Sequence, residues 1–248
     1  MASQGYATIV SLALEARFGL ATQFNRIRHL LVEGARGAYT MITVIDYGMG
    51  NVGSVQNMLR RVGAASVLSS CPDEVRKATR LILPGVGSFD AGMHALGERG
   101  LIGPIREAVL NRGAAILGIC LGMQLLSRGS EEGFTEGLAL HKSSTVRIPQ
   151  LAPDGRQLRV PHMGWNEVVA TRKHSLLNGL PTDSRFYFVH SYHVVCDDPA
   201  DVLLSVNYGH QLTASFAADT VFGVQFHPEK SHKFGMTILK NYAEYVAC

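Results

Sequence analysis

The stretch Ala114-Ala-Ile-Leu-Gly-Ile-Cys-Leu-Gly-Met-Gln124 changes character at Cys120. Up to Ile119 it is an apolar run, as expected of a strand buried on both faces; from Leu121 to Ser127 the spacing is helical. The cysteine thus sits in a sharp strand-to-helix turn, with Gly118 two residues before it and Gly122 two residues after. A nucleophile elbow needs such small flanks, because the turn is strained and its backbone passes close to the substrate. The helix N-terminus that follows favours a thiolate, and its backbone N–H groups can hold an oxyanion. The competing reading is a buried cysteine serving as a small hydrophobe.

Outward from the elbow the alternation repeats. Met41-Ile-Thr-Val-Ile-Asp46 is another short apolar run, followed by Tyr47-Gly-Met-Gly-Asn51 and helical spacing over Val52–Val62. Strands are expected at Ser66–Leu68 and Arg80–Leu83, and helical spacing returns near Ala91–Leu96 and Ile105–Leu110. Strands and helices in this rhythm predict an α/β fold with a parallel sheet covered on both faces. The second half reads differently, with hairpin-like strands at Val146–Ile148, Glu167–Ala170, Phe186–Val189, His193–Cys196, Val202–Val206, Thr213–Phe216 and Val221–Phe226. A closing helix is expected over Lys233–Ala247. With no repeat or linker between the halves, residues 41–248 read as one domain with a mixed sheet.

Composition narrows the function classes. Of 248 residues, 46% are hydrophobic and 17% charged, which argues against disorder. The net charge is +3, and the first forty residues hold four arginines against Glu15 and Glu33, so no basic face for nucleic acid is visible. No apolar run reaches the ~18 residues of a membrane span. Four cysteines lie too far apart for CxxC metal spacing or a disulfide framework, so a cytoplasmic chain with reduced thiols is expected. Residues 1–40 have loose helical spacing but no place in the sheet; they read as a disordered extension, or as the product of a start codon upstream of Met41.

A thiolate nucleophile needs a base, and the base needs an orienting group. Among ten histidines His227 stands out, because it ends an apolar strand and is followed by Pro228-Glu229. On an extended backbone residues i and i+2 face one side, which lets Glu229 fix the imidazole tautomer. Taken alone, each is equally well a satisfied edge residue. Pro84-Gly85-Val86-Gly87 ends another strand and suits an oxyanion-binding turn, or is an ordinary loop. His190-Ser191-Tyr192 offers polar groups at a strand end, and Pro161-His-Met-Gly-Trp-Asn166 contains the single tryptophan, which on its own reads as a packing aromatic.

Together these stretches resemble the class I (triad) glutamine amidotransferases, from Met41 to Cys248. Leu117-Gly-Ile-Cys-Leu-Gly-Met-Gln124 and Val224-Gln-Phe-His-Pro-Glu-Lys230 carry the resemblance, with Leu83-Pro-Gly-Val-Gly87 and Phe186-Tyr-Phe-Val-His-Ser-Tyr192. Ile45-Asp-Tyr-Gly-Met-Gly-Asn51 belongs to the same set, and Val160-Pro-His-Met-Gly-Trp-Asn166 narrows it to the glutaminase subunits of imidazole glycerol phosphate synthase. The resemblance implies a flavodoxin-like, mostly parallel mixed sheet with helices on both faces. It implies Cys120 as nucleophile, His227 as base and Glu229 as orienter, with an oxyanion hole at Val86, Gly87 and Leu121. Gly87, Gln124, His190, Ser191 and Tyr192 would line the glutamine pocket, and Tyr187, Lys230 and Trp165 would face a (β/α)8-barrel cyclase subunit. No metal or organic cofactor is implied.

Some segments depart from that pattern. Asn51–Met58 and Glu229–Met236 look more like paralogs associated with surface polysaccharide, thought to supply ammonia to a sugar amidotransferase. Leu138-Ala-Leu-His-Lys142 also lacks the usual Leu-Gly-Leu-Ile-x-Gly form. These differences bear on the ammonia acceptor and leave the glutaminase chemistry intact. A non-catalytic binding subunit or thiol sensor on the same fold is the remaining alternative, against which the intact Cys120, His227 and Glu229 set speaks.

Overall fold

A computed structural model describes residues 41–246; the reading of residues 1–40 falls outside them. Four apolar runs form strands buried along their whole length: β1 (Ile42–Ile45), β3 (Arg80–Gly85), β4 (Ala115–Cys120) and β11 (Val221–Val224). With β2 (Ser66–Ser69) they make a parallel set in the order β2-β1-β3-β4-β11. Strands β10 (Gln211–Ala218), β9 (Val202–Asn207), β6 (His162–Ala170) and β7 (Arg185–His190) continue the same nine-stranded sheet, each antiparallel to its neighbour. A separate antiparallel pair joins β5 (Ser143–Arg147) to β8 (Tyr192–Cys196).

Because side chains alternate along a strand, the parallel set feeds two cores. Ile42, Val44, Ile82, Leu117 and Val224 pack on one face with α1 (Val52–Arg61) and the closing helix α6 (His232–Glu244). Ile45, Leu81, Leu83 and Ile116 pack on the other with α2 (Pro72–Lys77), α3 (Phe89–Glu98), α4 (Ile102–Arg106) and α5 (Leu121–Leu125). Tyr242 of α6 ties the layers together: its hydroxyl lies 2.6 Å from Leu81 O and 3.0 Å from Ala115 O, on adjacent strands.

Several boundaries differ from the sequence expectation. Helix α2 has one buried residue, Val75, among charged neighbours, so it shows no apolar period. Strand β6 runs nine residues instead of four, since Pro161 and Gly164 make its first half look like a loop. Strand β5 begins earlier than expected and β11 ends two residues earlier, while a π-helical turn (Glu107–Asn111) extends α4. Among the described residues no helix is long and apolar enough to cross a membrane.

Candidate active site

Parallel neighbours end on one edge of the sheet, and crevices past their C-terminal ends are where α/β folds bind ligands. Register pairs Gly85 with Cys120 and Val224 with Ile119, so β3, β4 and β11 deliver Val86-Gly87, Cys120 and His227 side by side. The corner between β7 and β8 adds His190, Ser191 and Tyr192. These groups, with Leu121 and Gln124, line one pocket of about 290 Å³. Glu132, Pro161 and Val189 line it too and were not anticipated. Glu132 lies in an irregular loop, where it accepts a hydrogen bond from Phe89 N at 2.8 Å, and nothing in local sequence pattern marks it.

Cys120 adopts φ 54°, ψ −111°, a conformation that costs a non-glycine residue about 1–3 kcal/mol. The surrounding backbone is packed too tightly for it to relax. A β-carbon on Gly118 would lie 2.6 Å from Gly122 O, and one on Gly85 would lie 2.8 Å from Gly122 N. Leu121 opens α5, so its N–H has no partner within the helix. Cys120 is 6% exposed; its sulfur lies 3.9 Å from Val189 O and receives the Gln225 amide N–H at 3.8 Å.

His227 Nδ1 meets Glu229 Oε1 at 2.8 Å, with both side chains buried. The pairing does not arise from an extended backbone as expected. Pro228–Lys230 form a 3₁₀ turn, which brings the carboxylate back to the Nδ1 edge of the ring. Ser231 Oγ locks that turn by donating to His227 O at 2.6 Å while accepting from Tyr187 N at 3.1 Å. Burial by itself lowers the imidazole pKa; the Cys120 sulfur and the Glu229 carboxylate outweigh it and raise the group from 6.5 to about 9. Among the described residues Nε2 has no formed hydrogen bond, so Glu229 supplies the formed contact and the Cys120 sulfur, as thiolate, the neighbouring negative charge. Behind the elbow, the buried Tyr47 hydroxyl also lacks a partner among the described residues, and burial together with the Cys120 charge raises its pKa.

Trp165, Tyr187 and Lys230 lie outside the pocket as one aromatic and cationic cluster. Trp165 is paired with Tyr187 across β6 and β7 and meets it edge-on, with ring centroids 6.2 Å apart. Lys230 Nζ sits 5.6 Å from the Tyr187 centroid, directly after the Glu229 turn. Trp165 is 44% exposed, so it is not a core aromatic, and His232 stacks on it at 5.4 Å, a neighbour the sequence did not suggest. Among the described residues no cluster of three or more His, Cys, Asp or Glu is placed to hold a metal ion.

Comparison with known proteins agrees with this architecture. The family model for glutamine amidotransferase class-I matches residues 43–244. An imidazole glycerol phosphate synthase subunit HisH 2 of Pseudomonas aeruginosa is 52% identical over 206 residues, covering 83% of this chain and 100% of that protein. A protein of the same name from Methanococcus maripaludis is 47% identical over 202 residues, covering 82% and 98%. The solved PurLQS of Thermotoga maritima contains a chain with the same fold, with a TM-score of 0.63 at 20% identity, covering 84% of this chain and 99% of that one. This chain therefore belongs to the class-I glutamine amidotransferase family and, within it, to the group of imidazole glycerol phosphate synthase HisH subunits.

Proposed function

We propose that the chain is the glutaminase subunit of an imidazole glycerol phosphate synthase. It hydrolyses glutamine to glutamate and ammonia and passes the ammonia to a cyclase subunit. That subunit makes imidazole glycerol phosphate and an aminoimidazole carboxamide ribotide in histidine biosynthesis. The observation that carries this reading is the convergence of the Cys120 elbow and the buried His227–Glu229 pair on one pocket.

In this mechanism the Cys120 thiolate attacks the side-chain carboxamide carbon of glutamine, forming a C–S bond. N–H groups of the Val86-Gly87 turn and Leu121 hold the developing oxyanion. His227, kept protonated at neutral pH by its neighbours, gives its proton to the departing nitrogen as the C–N bond breaks. Neutral His227 next takes a proton from water as its oxygen attacks the thioester; the C–S bond breaks, releasing glutamate and restoring the Cys120 thiolate beside protonated His227. Glu229 holds the ring throughout, and Glu132 is the carboxylate placed to meet the glutamine ammonium. Ammonia in bulk neutral water is mostly protonated and not nucleophilic, so delivery to a docked partner preserves its reactivity. We assign the Trp165–Tyr187–Lys230 cluster to that docking face, toward a (β/α)8-barrel cyclase, and place the reaction in the cytoplasm, where the thiol stays reduced.

Cys120→Ala in the assembled complex should abolish glutamine-dependent synthesis and leave ammonia-dependent synthesis intact. The chain should restore growth to a histidine auxotroph lacking its glutaminase subunit. Failure of well-expressed protein to do so refutes this acceptor and points to a sugar amidotransferase. A glutamine-like diazo-ketone should label Cys120 stoichiometrically in the complex; absence of labelling would favour a thiol sensor.

A further inference from the structure

His190, Tyr192 and Gln124, which line the pocket, belong to a continuous set of hydrogen bonds that runs behind it. His162 and His190 are cross-strand partners on β6 and β7, with His162 Nδ1 2.9 Å from His190 Nε2. His190 Nδ1 lies 2.8 Å from Tyr192 O, and Asn166 Nδ2 lies 2.7 Å from His162 Nε2. Tyr192 O also accepts from Gln124 Nε2 at 2.9 Å, and the same amide donates to Gln225 Oε1 at 3.1 Å. Gln225 Nε2 in turn donates to the Cys120 sulfur at 3.8 Å. We infer that Asn166 and His162 are positioning residues of the thiol site, because they hold His190 and, through its bond to Tyr192 O, the carbonyl that anchors Gln124 and Gln225 beside the sulfur. The inference rests on the glutaminase reading above.

The arrangement follows from the acceptors. A backbone carbonyl only accepts, so His190 carries its proton on Nδ1. Burial keeps both rings neutral, holding His190 down to about 3 and His162 down to about 4. His190 Nε2 is then bare and accepts, which requires the proton of His162 on Nδ1. His162 Nε2 is bare in its turn, so Asn166 must present its N–H side. Both rings therefore hold the tautomer that free neutral histidine disfavours, and stacking of His162 on Tyr208 and Phe188, at 4.1 and 4.7 Å, fixes its orientation. Tyr192 O, held in place by the His190 N–H, takes an N–H of Gln124; the other N–H of that amide fixes Gln225 Oε1, so an N–H of Gln225, rather than a carbonyl, faces the sulfur. That polarity favours the anionic nucleophile.

Asn166→Asp tests the chain, since a carboxylate draws a proton onto His162 Nε2 and reverses the arrangement. Two-bond proton–nitrogen-15 spectra of the free full-length chain should show His162 and His190 as neutral Nδ1–H tautomers. The Asp variant should lose that signature at His162. In the complex with the cyclase subunit, its kcat for glutamine should fall about tenfold, as expected when one buried polar partner is wrong. His162→Asn retains an N–H near the Nδ1 position but loses the stack, whereas His162→Phe keeps the stack and loses the bonds. The Asn variant should be the more active of the two. An Nε2–H tautomer in the unaltered chain, unchanged kcat in Asn166→Asp, or a Phe variant more active than the Asn variant overturns the inference. Hydrolysis by the unaltered complex is the control for the function itself: its absence refutes the glutaminase reading, while the spectra still decide the chain.

Discussion

Gly118→Ala probes the elbow without touching a reacting group. A β-carbon there would lie 2.6 Å from Gly122 O and Met123 N and 2.7 Å from Gly122 C, all backbone atoms of α5. Ordinary contact begins near 3.4 Å, so strand and helix must separate by about 0.8 Å. Strand β4 is held on both sides by β3 and β11, so the five-residue helix takes most of the shift. Overpacking of this kind costs about 1–3 kcal/mol. At about 2–4 °C per kcal/mol for a domain of this size, Tm should fall by roughly 2–12 °C. The displacement shifts the Leu121 N–H proposed for the oxyanion hole and moves Gln124 off Tyr192 O and Gln225. A misplacement near 1 Å costs up to about a hundredfold, so kcat for glutamine should fall about 10- to 100-fold. Gly53→Ala in α1 is the control, because a β-carbon there meets nothing within 4 Å; it should be neutral or stabilising by up to ~1 kcal/mol. Differential scanning calorimetry and glutamate release by the assembled complex read the two effects. A Gly118→Ala protein with unchanged Tm, or one destabilised yet within about threefold of the parent kcat, refutes the argument that close backbone approach sets the catalytic geometry.

Other perturbations act on the buried pair and on the layer contact. His227 binds its proton more tightly folded than unfolded, so its contribution to stability is full below about 6.5 and disappears as pH rises through about 9. Urea titrations from pH 6 to 10 should show that loss, on the order of a few kcal/mol, and Cys120→Ala should reduce it by removing a charge that raises the imidazole. Glu229→Gln keeps the side-chain size and removes the charge on Nδ1; kcat should drop about a hundredfold or more while glutamine KM changes little, with steady-state kinetics as the check. Tyr242→Phe leaves Leu81 O and Ala115 O without their shared donor and should cost about 1–2 kcal/mol in chemical denaturation, with no effect on kcat.

Legibility followed the range of the physical signal. Runs such as Met41–Asp46 and Ala114–Ile119 are strands because both faces are buried, and an unbroken apolar stretch reports that directly. Strand β6 was half hidden: His162, Gly164, Asn166 and Val168 alternate with the outward Met163, Trp165 and Glu167, but Pro161 and Gly164 mask the period. The His227–Glu229 contact was anticipated and its cause was not, because a two-residue spacing is met equally by a strand and by the 3₁₀ turn that Ser231 ties down. Glu132 stayed invisible because a loop carboxylate has no pattern; only its placement beside Phe89 brings it to the pocket.

By itself, then, the sequence determined the elbow, the buried strands and the residue types proposed as nucleophile, base and orienter. All of these are set by windows of a few residues, over which backbone periodicity and steric limits act. The tertiary structure alone decided which side chains meet. His162 finds His190 28 residues away, Gln124 finds Tyr192 68 away, and Gln225 finds Gln124 101 away. Those contacts depend on strand register and on the β7–β8 corner, and hydrogen bonds between residues so far apart leave no trace in local spacing.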